Sequence, residues 1–108
     1  MIVVVNKFVP FNGFSAISLW PFVFLKNPQL LKDPVFLNHE KIHLRQQIEM
    51  LILPFYMWYL LEFLLRFAKT GDSKIAYRSI SFEVEAYEKE SDLNYLKNRK
   101  NWSFLTYL

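Results

Sequence analysis

His39-Glu40-Lys41-Ile42-His43 holds the only two histidines of a 108-residue chain, and their spacing has a mechanical meaning on a helix. Positions i and i+4 lie one above the other there, about 40° apart around the axis. Two imidazoles on one face can then share a single tetrahedral Zn²⁺. Glu40 falls one residue round from His39, beside such an ion and not on it. From there a carboxylate can take a proton from a zinc-bound water. If two histidines and seven glutamates were scattered at random, this arrangement would arise with a probability on the order of 0.1%. The competing explanation is a buried histidine pair beside an incidental glutamate, so the surrounding sequence has to place the motif on a helix.

It does. Asp33-Pro34 reads as an N-cap followed by proline at the first helical position, which predicts a helix from about 34 to 51 with Pro54 as its kink or stop. A second helix is expected over 55–69, closed by Thr70-Gly71-Asp72, where glycine suits the cap. Asp72 or Ser73 then caps a third helix over 74–97, and Trp102 to Leu108 packs back as a helical turn or two. Upstream, residues 2–9 are β-branched and apolar and read as a strand. Pro10-Phe11-Asn12-Gly13 is a turn. Phe14 to Leu25 reads as one or two extended segments, with Pro21 favouring an edge strand. The expected fold is α+β and α-dominated, a single domain over 1–108. A short N-terminal antiparallel β element packs on the helix of the two histidines, and two further main helices close the core.

Composition narrows the chemistry. Hydrophobic residues make up 53% of the chain with only two glycines, which suits a compact helical domain. There is no cysteine, so metal ligands must be His, Glu or Asp, with water. The net charge of +3 is mild. Its one loose basic cluster, Lys97, Arg99 and Lys100, reads as a solvated helix end, so no nucleic-acid partner is expected. Met1 to Lys7 lacks the pattern of a secretory signal, which gives a cytoplasmic expectation.

Met50 to Leu61 is an uncharged apolar run of 12 residues, shorter than the roughly 20 needed to span a bilayer. Glu62 interrupts any longer span. A core helix is the first reading. The second is membrane association through residues 50–66, with Tyr56, Trp58 and Tyr59 at a headgroup boundary and Arg66 and Lys69 beside it.

Catalytic zinc usually takes three protein ligands, and with no third histidine an acid must complete the set. On a continuous helix advancing about 100° per residue, Glu83 lies in the middle of the apolar arc that begins at Ile75. Glu85 and Glu88 fall outside that arc. A carboxylate on a core-facing stripe calls for a metal or a cation, so Glu83 is the expected third ligand. Glu90, two turns on in the same phase, is the reserve, and a pairing of Glu83 with Arg45 or Arg78 is the alternative. Gln47, on the ligand face, is the candidate for a supporting hydrogen bond. Tyr77, Arg78 and Tyr87 are candidates for oxyanion stabilisation, Tyr87 first.

His39-Glu40-x-x-His43 followed by a glutamate on a later helix resembles the gluzincin metallopeptidases. Phe82-Glu83-Val84-Glu85-Ala86-Tyr87 is similar to the E-x-x-A-D signature of the CAAX-prenyl-endoprotease-like branch, with Tyr87 in place of the aspartate. His43-Leu44-Arg45-Gln46-Gln47 resembles the continuation of the motif in small bacterial HExxH domains. The resemblance covers about 20 residues. It implies a zincin-like minimal core in which His39, His43 and Glu83 hold Zn²⁺, Glu40 is the general base, and a strand edge near Ser15–Leu19 aligns substrate backbone.

The expected function is therefore that of a zinc metallopeptidase acting on a peptide or protein substrate, with a partner protein completing the cleft of so short a chain. The alternative is a catalytically silent metal-binding or membrane-associated interaction module of the same fold.

Overall fold

The computed structural model describes residues 1–6 and 16–108. The protein is mostly helical with a small N-terminal sheet, an α-dominated α+β fold. Strands β1 (Ile2–Val5), β2 (Ala16–Leu19) and β3 (Phe22–Leu25) are followed by a 3-10 turn at Pro28–Lys32. Then come helices α1 (Pro34–Glu49), α2 (Leu53–Thr70), α3 (Ser73–Ser79), α4 (Ser81–Lys89) and α5 (Tyr95–Asn98), and a closing 3-10 turn at Ser103–Tyr107. The turn expected at Pro10–Gly13 lies outside the described residues.

The sheet runs in the order β1-β3-β2. β2 and β3 pair antiparallel, with Leu19 opposite Phe22 across Trp20-Pro21. β1 joins the far side of β3 in parallel, Ile2 opposite Phe22. The sheet is thus mixed where an antiparallel element was expected, and Pro21 occupies the turn, where its missing N–H costs the ladder nothing. Val23 and Leu25 of β3 pack with Leu44 of α1, joined by Val3, Leu30 and Phe36.

The caps act where the sequence places them. Asp33 Oδ1 accepts from the N–H groups of Val35 and Phe36 at 3.0 and 3.2 Å, with Pro34 in the first turn of α1. Gly71, at φ 70°, closes α2 in the left-handed conformation that suits glycine. Asp72 caps α3 through the N–H groups of Lys74 and Ile75. Between α1 and α2 the chain turns 113° through Leu51 and Ile52, both at positive φ (61° and 67°). This is a strained pair for non-glycine residues.

Two expectations change. The helix over 74–97 is three pieces. Ile80 is extended (φ −61°, ψ 133°) and splits α3 from α4, and α5 follows only after Glu90–Asn94. Residues 50–66 are a core helix on one face only: α2 fully buries just Phe55 and Glu62. Phe55 belongs to a second core with Met50, Ile80, Phe82 and Phe104, flanked by Tyr56, Trp58, Tyr59 and Phe63.

Candidate metal centre

α1 presents His39 and His43 one turn apart, and α4 presents Glu83 opposite them. The imidazoles meet edge to face with ring centroids 4.8 Å apart, and their Nε2 atoms lie 3.1 Å from each other. Glu83 Oε1 is 3.1 Å from His43 Nε2 and 3.5 Å from His39 Nε2. All three side chains are buried, with residue exposures of 4–6%. Donors held about 2.0–2.2 Å from one tetrahedral ion stand about 3.3–3.6 Å apart, close to this triangle. A single proton can bridge only one pair of these atoms, whereas a cation satisfies all three. Buried His39, His43 and Glu83 lie close enough to bind a metal ion.

Neighbouring groups aim two of the three donors, His43 and Glu83. His43 Nδ1 lies 2.9 Å from Gln46 Oε1. Since the amide oxygen can only accept, Nδ1 carries the proton there and, in the neutral ring, Nε2 keeps its lone pair for the centre. Glu90 Oε2 stands 3.3 Å from His39 Nδ1, though out of line for a hydrogen bond, so that nitrogen is buried without a partner. Tyr59, on α2, donates to Glu83 Oε2 at 2.8 Å and leaves Oε1 for the histidines. Glu90, the reserve ligand, faces the outer nitrogen of His39 while Glu83 faces the inner one.

The electrostatics describe one tightly coupled pair. Burial opposes a charge on His43, but the Glu83 carboxylate outweighs it and raises the imidazole to about 9. Burial likewise pushes the Glu83 carboxyl up, and His43 together with hydrogen bonds from both histidines pulls it well below the usual carboxylate range. Burial and then the charge of Glu83 push the Tyr59 hydroxyl up, so it remains a donor.

Glu40 is buried on the same helix and stands outside the converging set. Its charge is among those that raise His43. The Ser18 hydroxyl, on β2, donates to Glu40 Oε2, which ties the carboxylate to the sheet. Gln47 makes a second tie. Its amide donates to Ser18 O at 2.8 Å and accepts from Trp20 N–H at 2.7 Å. Gln47 thus occupies the backbone of the expected substrate edge between Ser18 and Trp20. Ser15 lies outside the described residues.

Tyr87 sets its ring against His39, centroids 4.5 Å apart, beneath the Arg78 guanidinium at 3.7 Å. Its hydroxyl is 3.4 Å from that of Tyr77. Burial pushes the Tyr77 hydroxyl up, and the charge of Glu83 adds to the shift.

Three roles differ from the sequence reading. The support of the ligand face comes from Gln46, not Gln47. Glu85, expected outside the apolar arc, is fully buried and accepts from Gln46 Nε2, Tyr95 and Arg99. Burial pushes its carboxyl up, and the Arg99 and Tyr95 hydrogen bonds pull it below its ordinary value. Arg99, expected at a solvated helix end, is buried and also pairs with Glu49 at 2.7 Å. Tyr59 carried no spacing signal. The sequence offered it only as a headgroup-boundary aromatic beside Tyr56 and Trp58, and all three turn inward instead, to Glu83, Gln47 and Glu62 respectively.

Against known proteins, no protein-family model, curated protein or solved structure matches the chain.

Proposed function

We propose that this protein is a zinc-dependent metallopeptidase. The observation that carries the reading is the convergence of two imidazole nitrogens and one carboxylate oxygen at 3.1–3.5 Å, with a further buried glutamate beside them. An N, N, O donor set without thiolate and with tetrahedral spacing favours zinc over the oxygen-seeking Mg²⁺ and Ca²⁺. Bound there, zinc supplies a Lewis acid and lowers the pKa of a coordinated water towards about 7.

The chain's own groups do the rest. With Oε2 held by Ser18, Glu40 offers Oε1 to take a proton from the attacking water and return it to the leaving amine as the C–N bond breaks. The Tyr87 hydroxyl, on the ring that packs against His39, is the neutral donor for the carbonyl oxygen as it gains charge. Tyr59 and Tyr77 are both engaged with Glu83 and serve position alone.

Replacing Glu40 by Gln tests the role of the base. Zinc content should be unchanged while cleavage of a mixed peptide library falls by about 10²–10⁴-fold. Full activity in Glu40→Gln removes Glu40 as the base. The near-complete burial of the triad favours a second reading, a metal-binding domain without turnover. Bound zinc with no cleavage by the unaltered protein would select it.

A further inference from the structure

α2 has two faces of different kinds. Its inner face makes the polar contacts of the interior: Tyr56 donates to Gln47, Tyr59 to Glu83, and Glu62 receives Ser81. On its outer face Leu53, Met57, Leu60, Leu61, Leu64 and Leu65 are each 53–66% exposed. Leu51, at the strained turn before α2, is 80% exposed, and Pro54, Met57, Trp58 and Leu61 line a shallow groove there. These positions follow the 3.6-residue period and form one continuous stripe. A solvent face this long and this apolar marks an interaction surface.

The charges around it select the occupant. The only acid on α2 is Glu62, which is buried against Ser81. Asp72, at the end of the helix, is engaged as the cap of α3, and Glu49 is held by Arg99. Arg66, Lys69 and Lys74 stand at that end without an ion pair among the described residues. A second copy laid antiparallel on the stripe would set the exposed Lys69 against the Leu51–Leu53 end, which offers no carboxylate. A bilayer carrying anionic lipid offers hydrocarbon to the leucines and phosphate to the cations at once. Among the described residues no single helix is long and apolar enough to cross a membrane. α2 fits the in-plane geometry instead, with its 18 residues extending about 27 Å.

We infer that the outer face of α2 docks flat on an anionic lipid surface, leaving its inner face to hold Gln47, Glu83 and Ser81. The inference stands whether or not the metal centre hydrolyses peptides. Flotation of the purified protein with two kinds of vesicle tests it, one of phosphatidylcholine alone and one with about a third phosphatidylglycerol. The protein should float with the anionic vesicles and much less with the neutral ones. Met57→Gln/Leu61→Gln/Leu64→Gln should weaken binding by about tenfold or more with an unchanged circular dichroism spectrum. Lys69→Glu, a single exposed change, should weaken binding to the anionic vesicles alone. Failure to float with either vesicle overturns the inference, as does equal binding to both. A dimer in sedimentation that the triple substitution dissociates also overturns it, because a second copy then covers the stripe.

Discussion

Glu83 and Glu85 lie two positions apart on one short helix and meet different chemistry. Each accepts from a phenol, but Glu83 meets two imidazoles whereas Glu85 meets a guanidinium. The histidine pair was legible because its geometry is local, four residues on a single helix. Glu83 was legible because a carboxylate among apolar neighbours needs a partner. The environment of Glu85 was not, since its cation arrives from Arg99, beyond α5 and the turns before it. The glutamines differ for a related reason. Gln46 and Gln47 are adjacent, and only the positions of β2 and α4 decide that one steadies His43 while the other ties down the sheet edge. The buried network gives a prediction. Glu85→Ala leaves the Arg99 guanidinium with Glu49 as its remaining carboxylate and frees Gln46 and Tyr95. It should lower unfolding stability by about 3 kcal/mol in urea titrations of metal-stripped protein. Stability equal to that of the unaltered chain would mean that Arg99 re-pairs without loss.

At the scale of elements, every helix boundary that a local cap marks was legible: Asp33-Pro34, Gly71 and Asp72 all act as their chemistry implies. The break at Ile80 was not, because no glycine or proline announces it. Its cause is tertiary. Glu62 of α2 accepts from the Ser81 N–H at 2.8 Å and the Ser81 hydroxyl at 2.6 Å, while Trp58 donates to the same carboxylate at 3.1 Å. A side chain from another helix thus caps α4, a service that helices normally obtain from their own N-cap residue. The break turns Glu83 and Glu85 together, so it does not account for the misplacing of Glu85. That follows from the burial of α4 on several sides, Ser81, Phe82, Glu83, Glu85 and Ala86 all being buried. Glu62→Ala strips two buried donors of Ser81 and the part-buried indole N–H of Trp58 of their acceptor and should cost about 3 kcal/mol. It should also weaken metal binding, since the cap fixes the helix that carries Glu83. Thermal melts and chelator competition read the two effects. An unaltered zinc affinity in Glu62→Ala would show that α4 holds Glu83 without the cap.

At the scale of the molecule, α1 separates two apolar clusters. One is built on the sheet, the other on α2, α4 and the last turn. The polar centre joins them, with Glu40 tied to β2, the histidines on α1, Glu83 on α4 and Tyr59 on α2. The α-dominated fold followed from pattern and caps. The mixed sheet order did not, because β1 pairs with β3 across intervening sequence that carries no register signal. An ion at this centre would link α1 to α4 and so contribute to folding. Zinc titration of the metal-stripped protein, read as bound metal and melting temperature together, tests this most directly. The account predicts a single zinc ion per chain and a melting temperature that rises with zinc, reaching about 2.7 kcal/mol of added stability at a hundredfold excess over Kd. It predicts that Glu83→Ala shows neither. Absence of zinc binding by the unaltered protein, or undiminished binding by Glu83→Ala, would contradict it.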